Sequence, residues 1–489
     1  MGTEHLLDLL YQRDLSEFEA RHEKAFGALF GAQGGRYPDS ARKVVKTRIN
    51  AQDYSQGVPF AAYIHPEAPE RGSYGGTSFV VIPSPESAAL FGLVVGTQGL
   101  APDHALLGRP GHSRKARAIC DWLQSQSSEA FTAWSKHDPT RTDLELPAEV
   151  TEAWSPFAPS IRKYGSCLYA MYRANDNREA THRALRALLD LYFQERGQGV
   201  VASQRKDAEA IQYAWASRLM PKVESSAVAE LLRSRKYVVL QGPPGCGKTH
   251  MSLELLASAY RGKGKTIQFH PSSTYESFLG GLAPESTATD LGLRFSPKPG
   301  ILMEAARESM QVHPEPYLLH IDEINRADLA KVLGEAIFLL EAQSAHERSI
   351  QLAHDFGPPW GNEFSLPPNL HILGTMNSAD RSIAILDVAV RRRFAFVSLW
   401  PRPEVIETTG VALMKEAFAR LQRLFVEYAS DDALALLPGH AYFLVGEGTD
   451  ARQHLQSNLL PLLEEYLAQG YVNNFAESLR TYNQWLRAL

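Results

Sequence analysis

YVVLQGPPGCGKTHMSLELLASAY, residues 237–260, joins an apolar β-rich run to a helix pattern through a glycine-rich loop. The loop itself, GPPGCGKT at 242–249, fits G-x-x-x-x-G-K-[ST]. That spacing has a chemical reason. Glycines let backbone N–H groups curl around phosphates, and the following helix points its positive end at them. Lys248 is then placed to reach the β- and γ-phosphates, and the Thr249 hydroxyl to ligate Mg²⁺. The expected nucleotide-binding set is Gly242, Pro243, Pro244, Gly245, Cys246, Gly247, Lys248, Thr249 and His250. Chance produces this pattern in about one chain in fifty of this length. The strand-loop-helix setting makes a plain glycine turn a poor alternative.

Moving outward, YLLHIDEINRA (317–327) ends an apolar strand in Asp322-Glu323. Alone, that pair reads as a solvated strand end. Behind a phosphate-loop lysine, Asp322 is expected to hold Mg²⁺ through water and Glu323 to polarise the attacking water. TMNSADRS (375–382) closes another apolar strand with Asn377, whose amide suits a γ-phosphate sensor or a helix cap. In DVAVRRRFAF (387–396), Arg391, Arg392 and Arg393 end a helix pattern, where cations offset the negative helix terminus. The runs YVVLQ, TIQFH, YLLHID, HILGTMN and FAFVSLW alternate with stretches long enough for crossover helices. That rhythm predicts a parallel five-stranded sheet covered on both faces. Residues 403–489 read as a helical lid.

The strings IQFHPSSTYESFLGG, LLHIDEINRADLAKVLGEAIFLLE, GTMNSADRSIAILDVAVRRRF, LPGHAYF and LLPLLEEYL occur in this order from 267 to 467. Together they resemble consecutive landmarks of McrB-type AAA+ NTPases, with Ser378 where the family motif usually has Thr. The resemblance covers about 230–470. It implies an α/β AAA+ fold and a hexameric ring hydrolysing GTP with Mg²⁺, with ATP left open. Asn377 takes the sensor role, and one of Arg391–Arg393 acts on the neighbouring subunit's nucleotide. It further implies duplex DNA, foreign or modified, as target and a separate McrC-like subunit carrying the nuclease. Consistent with a nuclease in trans, no Asp or Glu stands two residues before a Lys, so the common [DE]-x-K nuclease signature is absent. The insertion 344–369 reads as a hairpin directed at a channel or partner, with His346, Arg348, His354 and Trp360 as its candidate contacts.

The remaining sequence is read as an α+β target-recognition domain at 1–195, a linker or helical stretch at 196–225, the nucleotide-binding subdomain at 226–402 and the lid at 403–489. A net charge of −5 excludes a uniformly basic surface, so any DNA contact must come from patches. Candidates are Arg42, Lys43, Lys46 and Arg48, then Arg114 and Lys115, alongside Arg36, Arg109 and Arg117. Tyr54, Phe60, Tyr63 and Tyr74 are candidates for a base-stacking pocket. Each of these residues has a plainer alternative as surface or core. Three cysteines without metal-ligand spacing, and no apolar run of bilayer length, lead to the expectation of a cytoplasmic protein. A MoxR-like chaperone ATPase, its amino-terminal domain binding protein and not DNA, is the alternative function. Lys248→Ala is expected to abolish nucleotide binding, measured by titration calorimetry; unchanged affinity would contradict the phosphate-loop assignment.

Overall fold

The computed structural model describes residues 2–31, 34–52, 54, 57–285, 294–341, 348–379, 388–446 and 448–489. His346 and the Asp380, Arg381 and Ser382 of the TMNSADRS string lie outside them. The chain divides into two compact units. One comprises Met1–Met220 and Val426–Ser430; the other comprises Pro221–Phe425 and Asp431–Leu489.

The first unit is α+β. Its strands are β1 (Lys46–Asn50), β2 (Phe60–Ile64), β3 (Thr77–Ile82), β4 (Leu90–Val95), β5 (Ala133–Ser135) and β6 (Leu168–Arg173). They form one antiparallel sheet in the order β1-β2-β3-β4-β6-β5. Side chains alternate across a strand, and here both faces are dry. Ala61, Tyr63, Phe79, Val81, Phe91 and Leu93 share a core with helices α1 (Pro110–Gln124) and α2 (Arg178–Gln194). Their neighbours Ala62, Ile64, Val80, Ile82 and Leu90 pack on Val150, Trp154 and Phe157 on the other face. Of the two readings given for 196–225, linker or helical, the structure shows helix over 205–216. Helix α3 (Arg205–Ala216) buries Ile211 and Trp215 in the first core, so this unit runs to Met220 and not to residue 195.

Within that core Arg36 is 2% exposed. Its guanidinium donates to both oxygens of Asp190, at 2.7 and 2.5 Å, and to Asp207 at 2.8 Å. The Tyr37 hydroxyl adds a 2.7 Å bond to Asp190. A buried guanidinium is tolerable only because each charge is paired and hydrogen-bonded.

The second unit carries β7 (Tyr237–Gly242), β8 (Gly264–Gln268), β9 (Gly280–Glu285), β10 (Arg294–Pro299), β11 (Tyr317–Asp322), β12 (Ser349–Gln351), β13 (Glu363–Ser365), β14 (Leu370–Asn377) and β15 (Ala395–Ser398). The five apolar runs all become strands of one parallel sheet, β15-β7-β14-β11-β8. Helices α4 (Lys248–Ser258) and α5 (Ile301–Val312) pack on it. The described part of the 344–369 insertion, 348–369, contains the β12–β13 hairpin; Arg348 beside it donates to the Phe338 carbonyl and Trp360 meets Phe364 edge-on at 4.9 Å. The Arg348 bond and the packing of Phe364 and Trp360 on the core beneath hold the hairpin to its own unit; His354 is half-buried. A second hairpin, β9–β10, was not legible in its proline- and glycine-rich sequence.

The lid contains α6 (Ala412–Tyr428), α7 (Leu460–Ala468) and α8 (Ala476–Arg487). Phe418 packs edge-on to Phe443, and the Tyr482 hydroxyl donates to the Ala417 carbonyl. Among the described residues no helix is long and apolar enough to cross a membrane. Asp190→Asn removes the buried counter-charge and leaves Arg36 only the more exposed Asp207, so the first unit is expected to lose about 3 kcal/mol. Urea unfolding followed by tryptophan fluorescence measures it; a loss below about 1 kcal/mol would show the pair is dispensable.

Candidate functional site

Parallel strands present their carboxyl ends along one edge of a sheet, and this edge assembles the site. Strand β14 lies between β7 and β11, with Asn377 in register with Gly242. The loop after β7 turns through Gly245 and Gly247, at φ 77° and 88°, where an L side chain would be strained. Lys248 opens α4 and is 7% exposed. Its ammonium donates to the carbonyls of Gly242 (2.9 Å) and Pro243 (2.8 Å) and to Asn377 Oδ1 (2.6 Å). Burial lowers its pKa below the usual lysine value, with Cys246, Glu323 and Asp322 pulling the other way.

The opposite end of the Asn377 amide donates from Nδ2 to Glu323 Oε1 at 2.7 Å. Glu323 sits in the left-handed region at φ 53°, rare outside glycine and asparagine, and Arg326 lies 3.6 Å from its other oxygen. Asp322 accepts from the Thr249 hydroxyl at 3.2 Å and from Thr375. Thr375, 1% exposed, also accepts the Glu323 backbone N–H at 3.2 Å. One buried hydroxyl therefore ties both acidic residues to β14. Sequence reasoning missed it, although TMNSADRS begins with this residue. His250 is exposed on the first turn of α4.

The lid segment LPGHAYF also meets the loop. Gly439 and Ala441 donate their N–H groups to the Pro244 and Gly245 carbonyls at 2.9 and 3.0 Å. A β-carbon on Gly439 would lie 2.0 Å from the Gly245 carbonyl carbon. Only glycine permits that approach.

The three arginines separate by exposure. Arg391 and Arg392 are exposed, and the Arg391 guanidinium lies 5.6 Å from the Phe396 ring centre. Arg393 folds back, half-buried, to donate to the Ala389 carbonyl at 2.9 Å.

In the first unit the expected basic patch is largely spent on the protein itself. Arg114 is 5% exposed and donates to the Val426 and Ala429 carbonyls. Lys115 pairs with Glu195 at 2.5 Å and Glu427 at 2.7 Å. Arg36 is the core guanidinium described above, and Arg109 is joined to Glu195. Both Arg114 and Lys115 are thus corrected from surface phosphate contacts to internal ties. Arg48 donates to the Gly72 carbonyl at 3.0 Å and Lys46 to the Ala68 carbonyl at 3.4 Å. Arg42 donates to the Gly27 carbonyl at 2.9 Å and remains exposed, as does Lys43. Of the aromatics, Tyr63 is core, stacked on Phe26 at 4.3 Å, and Tyr54 donates to the Pro83 carbonyl. Phe60 and Tyr74, with Tyr164, Lys163 and Arg71, line a cavity of about 1110 Å³.

Residues 237–394 match the model of an AAA domain of the dynein-related subfamily. The chain is 30% identical over 354 residues to the "Type IV methyl-directed restriction enzyme EcoKMcrB subunit" of Escherichia coli strain K12, covering 65% of this chain and 74% of that one. That is more than the stretch from Pro221 to Leu489 can hold. A further relative is the "Type II restriction enzyme BsuMI component YdiS" of Bacillus subtilis strain 168, 28% identical over 192 residues, 32% of this chain and 55% of that one. Among solved structures, NtrX from Brucella abortus in complex with ATP is 14% identical, covering 62% of this chain and 76% of that one with a TM-score of 0.25. Thr375→Val removes both bonds that place the acidic pair. It is expected to slow nucleotide hydrolysis about 10- to 100-fold with affinity nearly unchanged, and Thr375→Ser to restore the rate. A valine variant at wild-type turnover would show that the Thr375 hydroxyl does not position them.

Proposed function

This chain belongs to the McrB family of AAA+ nucleoside triphosphatases from restriction systems, and on that footing we propose that it forms a GTP-hydrolysing ring. In this reading the ring, a hexamer, recognises duplex DNA through its first unit and works in the cytoplasm with a separate McrC-like nuclease subunit. The observation that carries it is the convergence of Lys248, Asn377, Glu323, Asp322 and Thr249 on one sheet edge, in a chain with these relatives. No nuclease signature of the common [DE]-x-K type accompanies it.

Thr249 and Asp322 place a hydroxyl and a carboxylate oxygen 3.2 Å apart. This pair fits Mg²⁺, which takes one or two protein oxygens and completes its shell with phosphates and water. Bound there, Mg²⁺ would neutralise charge on the β- and γ-phosphates. Lys248 would hold those phosphates from the loop side. Asn377 fixes the carboxylate of Glu323, which takes the proton of the attacking water. Arg391 or Arg392, the exposed members of the arginine run, would complete a neighbouring subunit's site. Arg393 is the weaker candidate because its guanidinium is turned back onto its own helix.

Support for a reader in the first unit is narrower: the exposed Arg42 and Lys43, and the cavity with Phe60, Tyr74 and Tyr164 on its walls. The test is steady-state hydrolysis of GTP and ATP side by side, with and without duplex DNA and a McrC-like partner. GTP turnover raised strongly by the partner is the expected result. ATP turnover indifferent to DNA and partner would replace this reading with the chaperone-type alternative.

A further inference from the structure

The cavity of about 1110 Å³ in the first unit has an apolar, closed floor: Val80 and Ile82 on β3 and Val94 on β4 are 5%, 3% and 7% exposed. Phe60 and Tyr164 line it with their ring centres 6.3 Å apart and their planes at 83°. One plane can carry a base by stacking, and the other leaves a second apolar face for whatever the base bears. A base turned out of a duplex is held in a snug pocket. Cavities of about 300–1,000 Å³ already enclose drug-sized ligands, so a single base leaves most of this one unfilled. The rest of the lining is acidic as well as basic. Glu19 and Glu23, one turn apart on the helix Phe18–Gly27, both line the cavity and are exposed. Among the described residues neither has a cationic partner. Carboxylates repel DNA phosphates, and the hydrogen bonds they make are accepted ones. What faces them on a ligand must therefore supply donors.

We infer that the first unit selects a base carrying a sugar or similar neutral polyhydroxyl group, seated in this cavity with its hydroxyls donating to Glu19 and Glu23. The inference rests on the reading of the first unit as a DNA reader and names the modification it reads. A methyl group offers no donor and fills little of the space; a lone hydroxymethyl group offers one donor. A cationic substituent would meet the two carboxylates but also Arg48, Arg71 and Lys163, which line the same cavity. Arg48 is held there by the Gly72 carbonyl at 3.0 Å, and the Lys163 ammonium lies over the Tyr164 ring at 5.2 Å. A neutral substituent rich in hydroxyls suits this mixed lining. Arg71 and Lys163, both exposed, suit the phosphates that flank an extruded base.

The test uses one duplex sequence in four forms, its central cytosine unmodified, methylated, hydroxymethylated, or glucosylated on the hydroxymethyl group. Binding to the full chain is followed by fluorescence anisotropy at one fixed salt concentration, because salt alone shifts protein–DNA affinity strongly. The glucosylated duplex is expected to bind about 10- to 100-fold more tightly than the hydroxymethylated one, the scale of hydrogen bonds to charged groups. In the double variant Glu19→Ala/Glu23→Ala that ratio is expected to fall toward one. Loss of two negative charges strengthens binding of every duplex alike, so the ratio and not the affinity is the readout. Both side chains are exposed, and an unchanged melting temperature checks that the variant is folded. A methylated or hydroxymethylated duplex bound as tightly as the glucosylated one overturns the inference, and so does a preference that survives in the double variant. Binding of none of the four duplexes would instead withdraw the DNA reading beneath it.

Discussion

The side-chain amide of Asn377 is the interaction on which the nucleotide site depends. Its oxygen accepts from the Lys248 ammonium and its nitrogen donates to the Glu323 carboxylate. An amide is among the few side-chain groups able to face a cation with one end and an anion with the other. A carboxylate there would repel Glu323, and an aliphatic side chain would abandon both partners in a poorly solvated place. The amide can bridge them only because β14 lies between β7 and β11, and that order sets Asn377 beside Gly242. Sheet topology and site chemistry are therefore one constraint seen at two scales.

Around that bridge the acidic pair is held by less conspicuous means. Asp322 leaves β11 with ordinary geometry, whereas Glu323 turns into the left-handed region. Such a conformation costs of order 1–3 kcal/mol and persists only where the surroundings over-determine it. The surroundings here are the Thr375 hydroxyl on its backbone N–H, and Asn377 and Arg326 at its carboxylate. Bonds at both ends of Glu323 offset that strain.

Much of the second unit was legible because its signals are local. Fully buried parallel strands need continuous apolar runs, and a phosphate loop needs its glycines and lysine in one short stretch. What escaped reading was set by distant partners. Thr375 looks like any strand threonine until β14 is laid beside β11. Arg114 and Lys115 look like a basic surface until the 426–430 segment supplies Val426, Glu427 and Ala429 as partners. A charge run in sequence records only that cations are present; whether they meet solvent or a carbonyl is decided by the tertiary fold. For the stretch around the helix Arg205–Ala216, read as linker or helical, what stayed hidden was which core it joins. Its buried Ala208, Ile211 and Trp215 mark one face, but no local signal says that this face completes a core begun about two hundred residues earlier.

The contact between Gly439 and Gly245 couples two positions that are remote in the chain. The lid glycine has no room for a methyl group because the loop carbonyl occupies that space. Its tolerance to substitution is thus governed by the phosphate loop and not by the helices around it. As related chains diverge, this glycine should drift at the slow pace of the loop while lid surfaces change freely.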